Sequence, residues 1–188
     1  MPPSEKNKID KTIKVRKAGQ ADLRELQHIG VASYLPHYTH LWKDGGLDWY
    51  MQRCFGDETL ISELSDDNIE YYFVRAEERH IGFMKLVLLK PVPDSDIRNA
   101  LYLEKLYFVK EWTGKGVGRE LMQLAFKRAQ ELNRDCVWLT AMDTSDKPIA
   151  AYENIGFTIH SRARLGFELM KEEFRGMVVM THYFNKIG

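Results

Sequence analysis

The residues with the clearest chemical potential are three glycines, Gly114, Gly116 and Gly118, in the run WTGKGVG. An apolar run, residues 101–109, leads into them, and a helical pattern begins immediately after. Strand, tight glycine turn and helix start together gather backbone N–H groups that lack intrahelical partners. The positive end of the helix dipole points the same way, so the spacing predicts an anion site. A Walker A loop does not fit, because Gly114-Lys115 is followed by Gly116 where a Mg²⁺-binding hydroxyl is needed. The dinucleotide fingerprint fits poorly too: the spacing is G-x-G-x-G, and Asp135 precedes its strand. Taken alone, the glycines suit a plain tight turn equally well. His37 and His40 lie three apart, but no further ligands have a spacing suited to zinc, so no metal is expected. No G-x-S-x-G elbow supports a serine hydrolase.

The elements that must position this loop follow from the apolar periodicity. Residues 12–17 (TIKVRK) alternate as a half-exposed strand. A helix opens at residues 19–22, with Leu23, Leu26, Ile29 and Gly30 on one face, and Pro36 ends or kinks it. Short helices are predicted over 47–55 and 57–64. Residues 69–76 and 80–89 read as an antiparallel hairpin, and 90–99 as a loop. Beyond the glycines, an amphipathic helix runs from Val117 to near Asn133, and CVWLTA (136–141) is a buried strand. Pro148 suits the first turn of a helix ending at Gly156. Residues 157–164 and 177–184 are strands, with an irregular stretch between them. The fold class is a mixed α/β sheet, antiparallel in its middle, with parallel pairing from the strand–helix–strand units and helices on its faces.

The 188 residues suit one domain, residues 11–188, after a polar tail over residues 1–10. Formal net charge is zero, which gives no argument for nucleic acid or an anionic membrane as partner. No apolar run is long enough to span a bilayer, and the tail has no signal-peptide core. Cys54 and Cys136 form no C-x-x-C pair and read as reduced thiols, so a cytoplasmic protein is expected.

Three stretches resemble the GNAT superfamily of acyl-CoA-dependent N-acetyltransferases. GKGVGREL (114–121), after a strand ending Tyr-Phe-Val, is similar to that family's pyrophosphate loop and helix. The strand VWL (137–139) and then KPIAAYENIGF (147–157), with its tyrosine followed by Gly-Phe, complete the likeness. Within the superfamily the chain most resembles bacterial spermidine/spermine N-acetyltransferases, through EKLYFVKEWTGKGVG, residues 37–42, YYFV with IGFMKL, and LGFELMKEEFRGMVVM. Two positions depart from the pattern: Thr113 stands where the family has Gln or Arg, and Ser145 where it often has Asn.

The resemblance implies a mostly antiparallel, splayed sheet of about seven strands and acetyl-CoA as co-substrate. It places pantetheine along Leu106, Tyr107, Phe108 and Val109, and the diphosphate on Thr113, Gly114, Lys115, Gly116, Val117 and Gly118. Ser145 either bonds CoA or caps its helix. Glu104, a carboxylate in an otherwise apolar strand, becomes the candidate base through a water, with an ion-paired strand residue as the alternative. Tyr152 becomes the candidate acid, and the Leu106 N–H the donor to the acetyl carbonyl. A small-molecule amine acceptor, polyamines first, would meet His37, Tyr38, Trp42 and Trp49. The protein would act as a monomer or homodimer. Another amine as acceptor, or a non-catalytic acyl-CoA sensor, are the rival readings.

Overall fold

A computed structural model describes residues 13–184; the predicted tail over residues 1–10 lies outside them. In chain order the elements are β1 (Ile13–Lys17), α1 (Leu23–Tyr38), α2 (Gly46–Phe55), α3 (Asp57–Leu64), β2 (Ile69–Ala76), β3 (Arg79–Val87) and β4 (Ala100–Phe108). Then come α4 (Val117–Glu131), β5 (Cys136–Met142), α5 (Asp146–Glu153), β6 (Thr158–Arg164) and β7 (Gly176–Tyr183). The seven strands form one sheet in the order β1-β2-β3-β4-β5-β7-β6. Among the described strands only β4 and β5 pair in parallel.

Parallel pairing is thus rarer than the strand–helix–strand order predicts. β7 inserts between β5 and β6. Burial explains the choice: Val178, Val179, Met180 and Thr181 of β7 are buried, whereas β6 (TIHSRAR) is exposed along nearly its whole length. The apolar strand takes the interior position and the polar one the edge. Pro36 does not end α1, which continues to Tyr38. Near a helix C-terminus the missing N–H removes a single bond, a smaller loss than in mid-helix.

Two apolar layers sandwich the sheet. On one face α1–α3 bring Leu26, Ile29, Phe55 and Leu60 onto Tyr71, Phe73 and Phe83. On the other, Leu121, Met122, Ala125 and Phe126 of α4 cover Val74, Met84, Leu101, Leu103, Val137 and Leu139. Tyr152 and Ile149 of α5 pack on this second layer.

An ion cluster ties α4 to β2. Glu70, 3% exposed, accepts bonds from Arg128 Nε (3.0 Å) and Nη2 (2.8 Å), Lys17 Nζ (2.8 Å) and the Tyr72 hydroxyl (2.7 Å). Burial alone would raise its pKa, but these donors outweigh it and hold the carboxyl at about 2. The folded value lies below the unfolded one, so the stabilisation is full above about pH 4.5 and is lost as pH falls towards 2. It amounts to about 3 kcal/mol at neutral pH. Glu70→Gln is expected to lose roughly that much at pH 7 in urea denaturation, and much less at pH 2.

Candidate active site

β4 and β5 pair only from Ala100–Cys136 to Leu103–Leu139. Beyond Leu103 they diverge: β4 continues along β3 to Phe108, and β5 along β7 to Met142. Among the described residues, nothing pairs with one edge of the second half of β4. The divergence begins at a β-bulge. Lys85 opposes Lys105 while Leu86 opposes Leu103, so Glu104 is the extra residue. The bulge also resets the side-chain alternation. Leu101 and Leu103 face the α4 layer, and past the bulge Leu106 and Phe108 face it too. Tyr107 turns to the α1–α2 side. The Val109 N–H donates to the Ile81 carbonyl (2.9 Å), towards β3. By alternation the N–H groups of Leu106 and Phe108 point to the free edge.

A cavity of about 170 Å³ fills the opening between the two strands. Glu104, Leu106 and Tyr107 of β4, Thr140 and Met142 of β5, Ser145, and Tyr152 of α5 line it. Its far wall is Tyr34, Tyr38, Leu41 and Tyr50, with Leu165, Phe167 and Met170 from the segment before β7. That segment is laced to the connection between α1 and α2: Lys43 N–H donates to Leu169 O and Lys171 N–H to Leu41 O, each at 2.9 Å. Trp42 and Met170 form a bridge.

Tyr152 and Glu104 sit in contrasting surroundings. Burial, then Tyr38, push the Tyr152 hydroxyl up to about 12, so it keeps its proton at neutral pH. Glu104 accepts from Lys85 Nζ (2.8 Å) and from Lys105 Nζ, and Lys85 also bonds Glu63 (2.6 Å). Burial would raise the Glu104 pKa, but the charges and bonds of Lys105 and Lys85 bring it to about 2. Glu104 is thus ion-paired and also lines the cavity. It also lines a second, open cleft of about 740 Å³, beside Trp49, Glu58, Lys85 and Lys105.

The glycine loop lies between the free edge and α4. Gly114 (φ +75°) and Gly116 (φ +84°) adopt left-handed backbone that favours glycine, and a Cβ at either would meet open space. The N–H groups of Gly114, Lys115 and Gly116 have no backbone acceptor among the described residues. The 15-residue helix α4 begins one residue later.

The acetyltransferase (GNAT) family matches residues 27–157. This chain is a member of that family. It is 18% identical over 146 residues to an uncharacterized N-acetyltransferase in the pepI 3′ region of Lactobacillus delbrueckii subsp. lactis, covering 78% of this chain and 84% of that protein. Among solved structures it is similar to PaiA N-acetyltransferase from Thermoplasma acidophilum in complex with coenzyme A. There the TM-score is 0.73 and the identity 20%, over 92% of this chain and 99% of the other. It is also similar to a mutant of spermidine N-acetyltransferase SpeG from Vibrio cholerae, with TM-score 0.64 and 16% identity over 91% and 93% of the two chains.

As a GNAT acetyltransferase the chain takes acetyl-CoA as co-substrate, and its residues fit that group. The unpaired β4 edge suits an extended amide arm, as an added strand would. The open glycine turn at the start of α4 suits a diphosphate. Gly116→Val would force a β-branched residue into left-handed backbone and fill the open space. It is expected to weaken acetyl-CoA binding by calorimetry at least roughly tenfold, with the thermal transition largely retained.

Some of the predicted site residues line one cavity, and others lie elsewhere. Glu104, Leu106, Tyr107, Ser145, Tyr152 and Tyr38 share the cavity. Ser145 holds the N-cap position of α5 without a side-chain cap bond, so capping is not what its hydroxyl does. Phe108 packs under the helix start, 3.7 Å from where a Gly118 Cβ would be. Val109 turns its N–H to β3, and Lys115 folds over Trp112, 5.0 Å from its ring. Trp42 is buried behind the wall, donating to the Tyr34 hydroxyl (3.0 Å). His37 lies tilted beside Tyr38, and Trp49, outside the cavity, meets Phe167 edge-on. Sequence reasoning missed Tyr34, Tyr50, Phe167 and Met170 as lining residues. Tyr34 lies one helical turn before Tyr38, a periodicity that marks a shared face.

Proposed function

We propose that this chain transfers the acetyl group of acetyl-CoA to a primary amine by direct attack, with Tyr152 as acid and Glu104 as a water-mediated proton conduit. The observation that carries this reading is the convergence of Tyr152, Glu104 and the free Leu106 N–H on one cavity where β4 and β5 part. Acetyl-CoA supplies an activated acyl carbon and a thiol leaving group.

The amine nitrogen forms the C–N bond as the C–S bond breaks, and the electron pair leaves on sulfur. The Leu106 N–H, directed at the free edge, donates to the acyl oxygen as charge develops there. Tyr152 donates to the departing sulfur. Full transfer from a hydroxyl of pKa about 12 to a thiolate of about 8.5 is uphill by roughly 5 kcal/mol, so the hydrogen bond precedes the proton. The nitrogen sheds its proton to water. Glu104 is too acidic to keep that proton; it orients the water and passes the charge on to the open cleft it also lines. The products are the N-acetylamine and the free thiol, and Tyr152 recovers its proton from water, so one proton has left the nitrogen and one has reached the sulfur.

This reading has a defined pH dependence. Glu104 stays ionised above about pH 4, so kcat/KM gains no limb from it. The profile is expected to rise with pH and level at the pKa of the acceptor's own ammonium. A limb between pH 4 and 6 that is independent of the acceptor would contradict the role given to Glu104.

The sequence resemblance names polyamines as the acceptor class. A second reading, an amine other than a polyamine, is favoured by the uncharged far wall of the cavity. Acetyl-CoA consumed with stoichiometric N-acetyl product by mass spectrometry is the expected result. Binding of acetyl-CoA with no thiol released by any amine would replace transfer with the sensor reading.

A further inference from the structure

Resting on the acetyl-transfer reading, we infer that the acceptor is a weakly basic primary monoamine on an apolar or aromatic body, as an α-amino group provides, and not a polycation. Tyr34, Tyr38, Tyr50, Tyr107, Phe167 and Met170 make the acceptor wall. Burial holds all four tyrosine hydroxyls above their ordinary pKa, so the wall is uncharged. Among the described residues Glu104 is the sole carboxylate lining the cavity, and it is already committed.

Its partners Lys85 and Lys105 are 3% and 7% exposed, and the second anion of the group, Glu63, is held by Lys85 and the Tyr71 hydroxyl. These two lysines and two glutamates balance among themselves, so within the cavity no described carboxylate is left for a second ammonium; Glu58 lies in the open cleft outside it. Next to Phe167 of the wall, Arg53 lies 5.5 Å from the Trp49 ring centre and 5.6 Å from that of Phe167. The Trp49 and Phe167 faces therefore already carry a cation. A polyamine would have to bury further charges without counter-ions, at several kcal/mol each.

Proton chemistry selects in the same direction. The conduit through Glu104 binds protons weakly, and an apolar wall disfavours the charged amine. The acceptor must therefore arrive largely neutral. At pH 7 an α-amine of pKa about 8 is neutral two to three powers of ten more often than an alkylamine of about 10.4.

The test compares kcat/KM at pH 7, read by thiol release, for phenylalanine amide, 2-phenylethylamine and spermidine. The expected order is that order, with phenylalanine amide at least roughly a hundredfold above spermidine. Spermidine equal to or above phenylalanine amide overturns the inference and leaves acetyl transfer standing. No thiol from any amine overturns both. A second arm uses Leu165→Glu, which adds a carboxylate at a half-buried lining position. It is expected to shift the spermidine to phenylalanine amide ratio roughly tenfold towards spermidine. An unchanged ratio in the folded variant counts against a charge-selective wall.

Discussion

Tyr152→Phe is expected to lower turnover by about 10²–10³-fold while leaving the acetyl-CoA dissociation constant within about twofold. The substitution removes one hydroxyl and no ring. The ring carries the packing: it lies on the α4 layer and meets Phe157 edge-on, with centroids 5.9 Å apart. Stability and cofactor seating therefore persist. The hydroxyl carries the chemistry, because burial keeps it protonated where the leaving sulfur needs a donor. Stopped-flow thiol release at saturating substrates, beside calorimetry with acetyl-CoA, separates the two. Unchanged turnover would remove Tyr152 from the acid role.

Glu104→Gln is expected to cost both activity and stability. The amide cannot balance Lys85 and Lys105, which would then share Glu63 alone. Breaking a buried pair in this way costs about 3–5 kcal/mol. The pH dependence has the same sense: the folded pKa of about 2 lies below the unfolded one, so the stabilisation is present above about pH 4.5 and fades as pH falls through 2. Turnover should fall by roughly 10²-fold, the usual scale for a proton-transfer group. The double variant Glu104→Gln/Lys105→Met removes one cation with the anion. It should regain much of the stability and none of the turnover. Recovery of both would make Glu104 a structural ion-pair partner only.

The strands and helices were legible because each carries its own period. IEYYFVRA and CVWLTA have the β-forming composition of strands, and the run after Gly116 has helical spacing. The glycine loop was legible because left-handed backbone at Gly114 and Gly116 leaves a mark in residue type. The insertion of β7 between β5 and β6 was not, since it depends on which of two late strands buries more apolar surface. The bulge at Glu104 was equally hidden. It is one residue of register against β3, and nothing local to LEKL announces it. Glu104 could be named as a carboxylate in an apolar strand, but its neutralisation by Lys85, 19 residues earlier, is a cross-strand fact. The acceptor wall was the least legible part. It joins α1 and α2 to residues 165–170, more than a hundred positions away, through backbone bonds that any residues could make.

The central claim is that chemistry occurs where β4 and β5 part, between the Leu106 N–H and the Tyr152 hydroxyl. A crystal structure with acetyl-CoA tests it most directly. The account predicts the diphosphate on the N–H groups of Gly114–Gly118, the acyl oxygen within hydrogen-bond reach of the Leu106 N–H, and the sulfur within reach of Tyr152. A thioester placed outside the cavity, or a sulfur separated from Tyr152 by other side chains, would contradict it.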